Sequence, residues 1–356
     1  MEQGNQYSSK LVARWLLLGV IMTVIQVALG GITRLTGSGL SITEWEVITG
    51  TLPPLNEQAW MVEFDKYRQT PQFQLLNFEF TLDDFKFIFF WEWFHRLWAR
   101  LIGLVFAGGF IWFIIRKHFK KEMIQPLMML FVLGILQGAV GWIMVASGLT
   151  GDAVYVKPTR LALHFIFALG LLCYTFWFAL KLLVKEDQLI QSPALRKTNL
   201  LLIAVLIIQL LYGALMAGHK AANVAATWPT INGEWVPSSL FSHQPFLLNF
   251  IDNKILVHFI HRGLAYVLLI MMIIWSIQLW KTKGTRLFYR IRMIPLILTG
   301  LQVLLGIFSI LTSTGIIPGQ WGAFEWMAQL HQLTGMCLLL SLVFTLFVIR
   351  AKSKTV

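Results

Sequence analysis

Eight apolar stretches, each about 20 residues long, run through this 356-residue chain. A helix of about 20 apolar residues crosses the hydrocarbon core of a bilayer, so the stretches predict eight transmembrane helices. Apolar residues make up 57% of the chain and charged residues only 13%, about half the charged fraction of soluble domains. This composition excludes a soluble enzyme with one anchor, a disordered chain and a nucleic-acid-binding protein. The stretches begin near Trp15, Phe87, Pro126, Leu161, Asn199, Ile255, Met293 and Trp326.

The net charge of +12 is explained by how basic residues are distributed among the loops. They concentrate at both termini and in the even-numbered loops, and the positive-inside rule places such segments in the cytoplasm. Both termini are therefore predicted to be cytoplasmic, and no nucleic-acid partner is needed. The basic residues are Lys10, Arg14, Arg116, Lys117, Lys120, Lys121, Lys181, Lys185, Arg196, Lys197, Lys281, Lys283, Arg286, Arg290, Arg292, Arg350, Lys352 and Lys354.

The first outer loop, roughly residues 35–84, has the opposite bias. Its prolines Pro53 and Pro54 and its aromatic residues suggest a folded cap, with a solvated loop as the alternative. Its acidic residues are Glu44, Glu46, Glu57, Glu63, Asp65, Glu79, Asp83 and Asp84.

The two halves of the chain repeat the same landmarks. An even number of helices in each repeat gives both the same orientation, related by an axis along the membrane normal. We therefore predict an all-α integral membrane protein whose eight transmembrane helices form two tandem pseudo-twofold four-helix bundles, residues 1–190 and 191–356. The landmark pairs are His95-Arg96 with His261-Arg262, Leu136-Gln137 with Leu301-Gln302, Leu163-His164 with Leu330-His331, and, across the longer first outer loop, Gln26 and Gly30 with Gln209 and Gly213.

Four of the eight histidines occupy repeat-related places: His95, His164, His261 and His331. Each lies within about two turns of the outer end of its predicted helix. A single polar residue in a membrane helix often only bonds a neighbour, but four at one depth are harder to explain in that way. Two histidines on facing helices of a bundle bind haem iron through one imidazole on each face of the ring. Each half is predicted to bind one haem.

Other metal centres fit the sequence less well. Zinc needs three or four ligands and a di-iron bundle needs inward-facing glutamates with Glu-x-x-His pairs on two helices, whereas one such pair occurs here, Glu92 and His95. The two cysteines, Cys173 and Cys337, lie inside apolar stretches, which excludes a disulfide framework and a cysteine-ligated zinc site.

Glu92 marks a chemical difference between the halves, because the repeat-related position holds His258. Glu92 lies on the same helix face as His95, and a carboxylate that exchanges protons beside a macrocycle suits an oxidation site. The alternative is a structural salt bridge to Arg96 or Arg100. Arg96 and Arg262 would pair with haem propionates or anchor a helix end. The aromatic residues Phe87, Phe89, Phe90, Trp91, Trp93, Phe94 and Trp98 would line a macrocycle or form an interfacial belt.

The order and spacing of the motifs resemble the haem A synthase family over nearly the whole chain. The segments that carry the resemblance are Glu92-Trp93-Phe94-His95-Arg96, Leu163-His164, His261 to Tyr266, Leu330-His331-Gln332, Gly30 to Ser41, Trp45 to Pro54, Phe64 to Tyr67, and Trp228-Pro229 through Gly233 to Pro237. The long outer loop is similar to that of the mitochondrial and proteobacterial branch. It departs from the Bacillus-type branch, which has a cysteine pair in this loop, so no thiol–disulfide role of that pair operates here.

The resemblance implies oxidation of the methyl at position eight of haem O to a formyl group, which gives haem A for terminal oxidases. It implies that His261 and His331 hold a haem b, that His95 and His164 flank the substrate haem, and that Glu92 is catalytic. His258 stands where the related branch has glutamine and is either an alternative ligand or a supporting group. The implied partners are haem O synthase, the assembly of terminal oxidases and an electron acceptor, and the chain is compatible with a homo-oligomer.

Two other classes of protein stay open from the residues alone. A di-haem electron carrier, such as a cytochrome b subunit, would use the same four histidines without needing Glu92. A transporter for haem or another amphiphile would also use a duplicated eight-helix bundle, although few charges lie at mid-membrane depth. Glu92, present in one half only, favours the enzyme.

Overall fold

The computed structural model describes residues 2–44 and 49–350 of the chain, with the side chains of residues 2–8 and 49 left aside. Within those ranges the fold is helical apart from a β-bridge between Ile231 and Glu234. The motif residues Trp45 to Ile48, including Glu46, and the basic residues Lys352 and Lys354 lie outside the described residues. The helices are α1 (Glu2–Leu35), α2 (Glu57–Arg68), α3 (Pro71–Leu76), α4 (Leu82–Ile115), α5 (Lys121–Ala146), α6 (Pro158–Leu183), α7 (Pro193–Gly218), α8 (Asn249–Asp252), α9 (Lys254–Lys281), α10 (Arg286–Ile291), α11 (Ile294–Leu311) and α12 (Ala323–Val348).

The prediction of eight membrane-spanning helices is confirmed. In the part of the chain that the structure describes, eight segments are long and apolar enough to cross a bilayer. They are α1 from Ser9 onward, α4, α5, α6, α7, α9, the segment Arg286–Gly315 that contains α10 and α11, and α12. Proline at the first turn begins several of them, including Pro158 in α6 and Pro193 in α7. At that position the missing N–H and the fixed φ angle of proline favour a helix.

The predicted depth of His95 is wrong, since α4 begins at Leu82 and His95 lies more than three turns inside it. The reason is a capping box: Asp84 accepts a hydrogen bond from the Thr81 main chain (2.9 Å), and Thr81 Oγ1 accepts one from Asp84 N (3.3 Å). This pair starts the helix one to two turns before the apolar stretch begins. The other three histidines do lie within about two turns of the start of their helices.

The first outer loop is a folded cap, as one of the two alternatives predicted. Helices α2 and α3 pack on the start of α4 through a buried cluster of Phe64, Tyr67, Phe85, Ile88 and Phe89. Tyr67 is fully buried, and its hydroxyl donates to Gln72 Oε1 (3.1 Å) and accepts from Asn77 Nδ2 (2.7 Å). Burial raises the pKa of Tyr67 to about 12.

The largest hydrophobic core joins residues of both halves. Helices α1 and α6 of the first half contact α12, and α6 also contacts α7. The shared core contains Val27 of α1, Leu172 of α6, Leu202 of α7, Trp275 of α9 and Leu342 of α12. One continuous apolar core therefore connects the two halves of the chain.

The outer flanks of the two halves pack differently. In the second half α9 packs against α11. In the first half the repeat-related helices α4 and α5 meet through Phe106, Phe110 and Phe131. In the most apolar stretches of α4 and α5 only 6% of the residues are buried, against 28% in α9 and 22% in the seventh span. The first half is thus the less tightly closed of the two.

Candidate haem-binding sites

The C-terminal histidine pair meets across the bundle. The rings of His261 on α9 and His331 on α12 have centroids 6.3 Å apart and planes at 75°. His331 Nδ1 contacts the Gln302 carbonyl oxygen at 3.0 Å, which is a hydrogen bond when Nδ1 carries the proton. That tautomer leaves Nε2 as the nitrogen able to bind iron.

Glycines make room for both of these rings. A Cβ atom built at Gly213 of α7 would lie 3.2 Å from His261 Cε1, and one built at Gly306 of α11 would lie 2.9 Å from His331 Cε1. A paired set of imidazoles lying against bare helix backbone fits a bis-histidine haem between helices. In addition, His261 Nδ1 is buried without a hydrogen-bond partner among the described residues.

The N-terminal histidines have the same surroundings. His164 on α6 faces Gly141 of α5, where a Cβ atom would lie 2.9 Å from its Cε1. His95 on α4 faces Gly30 of α1, where a Cβ atom would lie 3.4 Å from its Nε2. The His95 ring therefore turns its Nε2 edge toward the neighbouring helix, whereas the other three rings turn their Cε1 edge.

Glutamine side chains lie beside all four histidines. Gln137 Nε2 is 3.1 Å from His164 Nδ1, Gln209 Nε2 is 3.4 Å from His261 Nε2, and Gln302 Nε2 is 3.3 Å from His331 Nε2. Gln26 donates instead to the His95 carbonyl oxygen (3.2 Å). Sequence reasoning used these glutamines as repeat landmarks and assigned them no role.

Within residues 2–44 and 49–350 the structure contains no group of three or more His, Cys, Asp or Glu side chains that could hold a metal ion. The described chain therefore offers pairs of imidazoles rather than the three or four ligands of zinc or the carboxylate set of di-iron. Cys173 and Cys337 are both free thiols.

Glu92 is almost fully buried, with 3% exposure, and both of its oxygens are bonded. Oε1 pairs with Arg96 at 2.6 Å, which is the salt bridge left open by the sequence. Oε2 accepts from Ser41 Oγ (2.8 Å) and from the Ile42 main chain (2.9 Å). The carboxylate thus fastens the end of the Gly30 to Ser41 motif to α4, a contact between residues about 50 positions apart that the sequence reasoning missed.

His258 makes the equivalent contact in the second half. It is fully buried, and its Nε2 lies 2.7 Å from the Ala221 carbonyl oxygen, in the segment that follows α7. In this structure the ring is therefore engaged with an outer loop. His258 was predicted to be either an alternative iron ligand or a supporting group, and this contact fits a supporting group.

Arg96 and Arg262 both bind main-chain oxygens of the outer loops. Arg96 donates to the carbonyl groups of Ile42 and Glu44, each at 3.1 Å. Arg262 donates to those of Ala225 (2.6 Å), Thr227 (2.9 Å) and Thr230 (3.1 Å). Both arginines thus hold loop backbone against their helices, and the pairing with haem propionates stays a prediction.

The aromatic residues around His95 serve the cap and the outer surface of the bundle. Phe89 packs edge-on against Trp60 of the cap with ring centroids 5.0 Å apart, and Trp93 Nε1 donates to the Thr51 carbonyl (3.0 Å). Phe87 and Phe90 are exposed at the surface of the protein. This arrangement resembles an interfacial belt with a folded cap more than a lining for a macrocycle.

Polar contacts also join the two halves near the first histidine pair. Arg34 donates twice to the Ala217 carbonyl at the end of α7, at 3.0 and 2.8 Å. Gln329 and Gln332 of α12 donate to the carbonyls of Ala28 and Val27 in α1, each at 2.9 Å. Gln332 directly follows His331, so these bonds tie one histidine pair to the helix beside the other.

Comparison with known proteins identifies the family. The family model described as "Cytochrome oxidase assembly protein" matches residues 13–343. The chain belongs to the haem A synthase family. It is 39% identical over 318 residues to the heme A synthase of Paracoccus denitrificans, covering 87% of this chain and 83% of that protein. It is 42% identical over 334 residues to that of Novosphingobium aromaticivorans, covering 91% and 90%.

A heme A synthase of Flavobacterium johnsoniae is 37% identical over 342 residues, 95% of this chain and 97% of that protein. The family that the motifs predicted is therefore confirmed over nearly the whole chain. The name of these relatives implies that the family handles haem, and the described part of the chain has eight candidate membrane-spanning helices.

Proposed function

We propose that this protein is a haem A synthase that oxidises the methyl at position eight of haem O to a formyl group, with the substrate haem in the N-terminal half (residues 1–190) and a haem b in the C-terminal half (residues 191–356). The observation that carries the proposal is family membership over nearly the full length. The two histidine pairs, each set against glycines, supply the sites that such a reaction requires.

The reaction is an oxidation that replaces two hydrogens of a methyl group by one oxygen. Bound haem supplies the redox-active iron next to the reacting group. The protein's own residues hold the macrocycle, limit access of water and hold or exchange protons. His261 and His331 would hold a haem b, which would supply a second redox-active iron when bound.

Glu92 is proposed as the catalytic carboxylate. It lies one turn before His95 on the same helix, and it is the buried carboxylate of this half closest to that histidine in sequence. Its pairing with Arg96 compensates the burial of its charge, and its bonds to Ser41 and Ile42 fix its orientation. These bonds fix the orientation of a group that would exchange protons as the methyl group is oxidised.

The packing of the two halves supports the division of labour. A substrate must enter and a product must leave, while a resident haem stays in place. Helices α4 and α5 are little buried and meet through aromatic side chains, whereas α9 packs directly on α11. The looser half suits the exchanged haem and the tighter half suits the permanent one.

The proposed setting is a bacterial inner membrane with both termini in the cytoplasm, since the basic loops then lie inside. The cap formed by α2 and α3 and both histidine pairs then lie toward the outer side. Haem O synthase is the proposed source of the substrate, and terminal oxidases are the destination of the product.

The two other classes of function are less well supported. A di-haem electron carrier has no use for a carboxylate in one half and an imidazole in the other, yet Glu92 and His258 differ in this way. A haem transporter would not be expected to share family membership with enzymes named heme A synthase over 90% of their length.

The test is to express the chain together with a haem O synthase in cells that lack haem A, and to identify the extracted haems by mass. We expect a haem with a formyl group, absent from cells that express the haem O synthase alone. Accumulation of unmodified haem O, with the protein present in the membrane, would overturn the proposal. Haem b without any oxidised haem would favour the electron carrier.

A further inference from the structure

The sequence Gln-x-x-x-Gly occurs four times in this chain, each time on the helix that faces one of the four histidines. The motifs are Gln26–Gly30 facing His95, Gln137–Gly141 facing His164, Gln209–Gly213 facing His261, and Gln302–Gly306 facing His331. The motif therefore occurs once in every two membrane spans. The repeat of the two halves is twice as long, at four spans. Because the motif accompanies each of these four histidines, it calls for an explanation that involves the imidazole ring.

The geometry of an α-helix connects the two ends of the motif. The carbonyl of residue i bonds the N–H of residue i+4 and keeps a second lone pair free. Side chains point back toward the helix N-terminus, so the side chain at i+4 covers the surface near residue i. Glycine at i+4 leaves that carbonyl open to a donor from a neighbouring helix.

At His331 this arrangement is present. Its Nδ1 lies 3.0 Å from the Gln302 carbonyl oxygen, and a Cβ atom at Gly306 would approach the ring to 2.9 Å at Cε1 and 3.4 Å at Nδ1. The ring could not keep this position beside an alanine without shifting by several tenths of an ångström.

His164 and His261 present the same edge of the ring to their glycines, but neither Nδ1 contacts its glutamine carbonyl. His164 Nδ1 lies 3.1 Å from the Gln137 side-chain nitrogen, and His261 Nδ1 has no partner among the described residues. The Cβ positions at Gly141 and Gly213 lie nearest Cε1 and next nearest Nδ1. At Gly30 the neighbours are Nε2 and then Cδ2 of His95. A half-turn of the His95 ring about its Cβ–Cγ bond exchanges these atoms with Cε1 and Nδ1, and gives the same arrangement.

We propose that Gly306 is a positioning residue that leaves the Gln302 carbonyl uncovered as the acceptor for His331 Nδ1–H, so that Nε2 is the nitrogen presented to haem iron. The glycines of the other three motifs give the same room to their rings. The inference deepens the proposed function and rests on it. A hydrogen bond from the second ring nitrogen fixes the tautomer of a ligating histidine and makes it a stronger donor to the metal.

The experiment compares two substitutions in one helix, Gly306→Ala and Gly300→Ala, in the full-length protein purified with its haem. Among the described residues no atom lies within 4 Å of a Cβ atom at Gly300, so the second variant is the matched control. Alanine favours a helix over glycine, so neither change weakens the helix itself. The readouts are haem b content, the reduction potential of the low-spin haem and its electron paramagnetic resonance g-values.

We expect Gly306→Ala to retain haem b roughly 10- to 100-fold more weakly, the usual effect of losing a group that supports a metal ligand. The haem that remains should have a higher reduction potential, because a less basic imidazole stabilises ferric iron less. Gly300→Ala should match the wild type in content, potential and g-values. Gly213→Ala, acting on His261, should repeat the effect of Gly306→Ala and serves as the second variant if that protein does not accumulate.

Equal haem content, potential and g-values in Gly306→Ala and Gly300→Ala would overturn the inference while leaving the proposed function intact, provided that the wild type contains haem b and makes haem A. A wild type that makes no haem A overturns the proposed function, whatever the glycine variants do. In the first half, Gly141→Ala against Gly138→Ala makes the same comparison, with co-purified haem O as the readout, since no described atom lies within 4 Å of a Cβ at Gly138.

Discussion

The two halves differ at the position one helical turn before His95 and before His261. That position holds Glu92 in the first half and His258 in the second. In the N-terminal half Glu92 binds Ser41 and Ile42, and in the C-terminal half His258 approaches the carbonyl of Ala221. Both contacts join the histidine helix to the segment that follows the first helix of the half. Arg96 and Arg262, four positions later, bind the same segments.

Glu92 and His258 share one structural role, whereas the carboxylate occurs in the first half only. Fastening an outer loop is common to both positions, so it does not by itself require a carboxylate. The N-terminal half nevertheless has a carboxylate one helical turn before its histidine, and the C-terminal half has an imidazole there. The chemistry proposed for the first half therefore rests on what Glu92 adds beyond fastening the loop.

The largest expected effect comes from Glu92→Gln, which keeps the size of the side chain, removes the carboxylate and turns one of its two acceptor oxygens into an amide donor. Haem A should fall by roughly a hundredfold to ten-thousandfold, the usual loss on removing a general base, while haem b persists. His258→Gln should remain close to wild type, because an amide can still donate to the Ala221 carbonyl. The measurement is the mass analysis of extracted haems, normalised to haem b.

Ser41→Ala is the control for the structural explanation, since it removes one bond to Glu92 and keeps the carboxylate. If Ser41→Ala lowers haem A as strongly as Glu92→Gln, the carboxylate acts by holding the loop. Undiminished haem A in Glu92→Gln would return Glu92 to a structural salt bridge.

The second prediction tests which half holds the resident haem. Replacing His261 or His331 with Ala or Met should remove most of the low-spin b-type absorbance, because bis-histidine ligation is lost. His95→Ala and His164→Ala should keep that absorbance and lose haem A. Full haem b in both C-terminal variants, together with its loss in His95→Ala, would reverse the assignment of the halves.

The third prediction compares the two arginines through thermal stability. Arg96→Leu leaves the buried Glu92 carboxylate unpaired, and breaking a buried ion pair costs about 3 to 5 kcal/mol. Arg262→Leu leaves three main-chain acceptors without their donor but no unpaired charge, a cost of about 1 to 3 kcal/mol. The melting temperature of the purified protein should therefore fall further for Arg96→Leu, and the opposite order would contradict the ion-pair argument.

The smallest effect concerns the folded cap, which has an aromatic core around Tyr67. Burial raises the pKa of Tyr67 to about 12, whereas an unfolded tyrosine ionises near pH 10. Between these values the unfolded state releases the proton first, so stability falls as pH rises from 10 to 12, by at most about 2.7 kcal/mol. Below pH 10 this group gives no pH dependence.

The measurement is the melting temperature at pH 9 and at pH 11.5, in the wild type and in Tyr67→Phe. The wild type should lose more stability between the two values than Tyr67→Phe, which has no phenol to ionise. An equal loss in both proteins would show that the hydroxyl of Tyr67 ionises in the folded cap as it does in water.

Much of this fold was predictable because its signals are local. Runs of about 20 apolar residues mark membrane spans, and the recurrence of His95-Arg96 at His261-Arg262 reveals the duplication without any knowledge of contacts. The use of local signals also explains why the predicted start of α4 was wrong. Hydropathy marks where a membrane span begins, whereas Thr81 and Asp84 determine where the helix begins.

The candidate site was predictable only as a set of residues. The four histidines, Glu92 and the two arginines could be named from their spacing, but the roles of the arginines and of Glu92 stayed open. Those roles depend on partners far along the chain, such as Ser41 for Glu92 and Thr227 for Arg262. Which partner a side chain meets depends on how the helices pack, and no local pattern reports that.

The amino-acid sequence alone is sufficient for the number of spans and for the family, and it names the recurring motifs and the candidate histidines. Each follows from residue type and spacing along one chain, since a helix converts spacing directly into depth and face. The packed helices alone decide that Glu92 fastens an outer loop, that Gln332 bonds the Val27 carbonyl, and that His331 meets the Gln302 carbonyl where Gly306 leaves it open. These contacts require two helices to approach within hydrogen-bonding distance, which is a property of the assembled bundle rather than of any one segment.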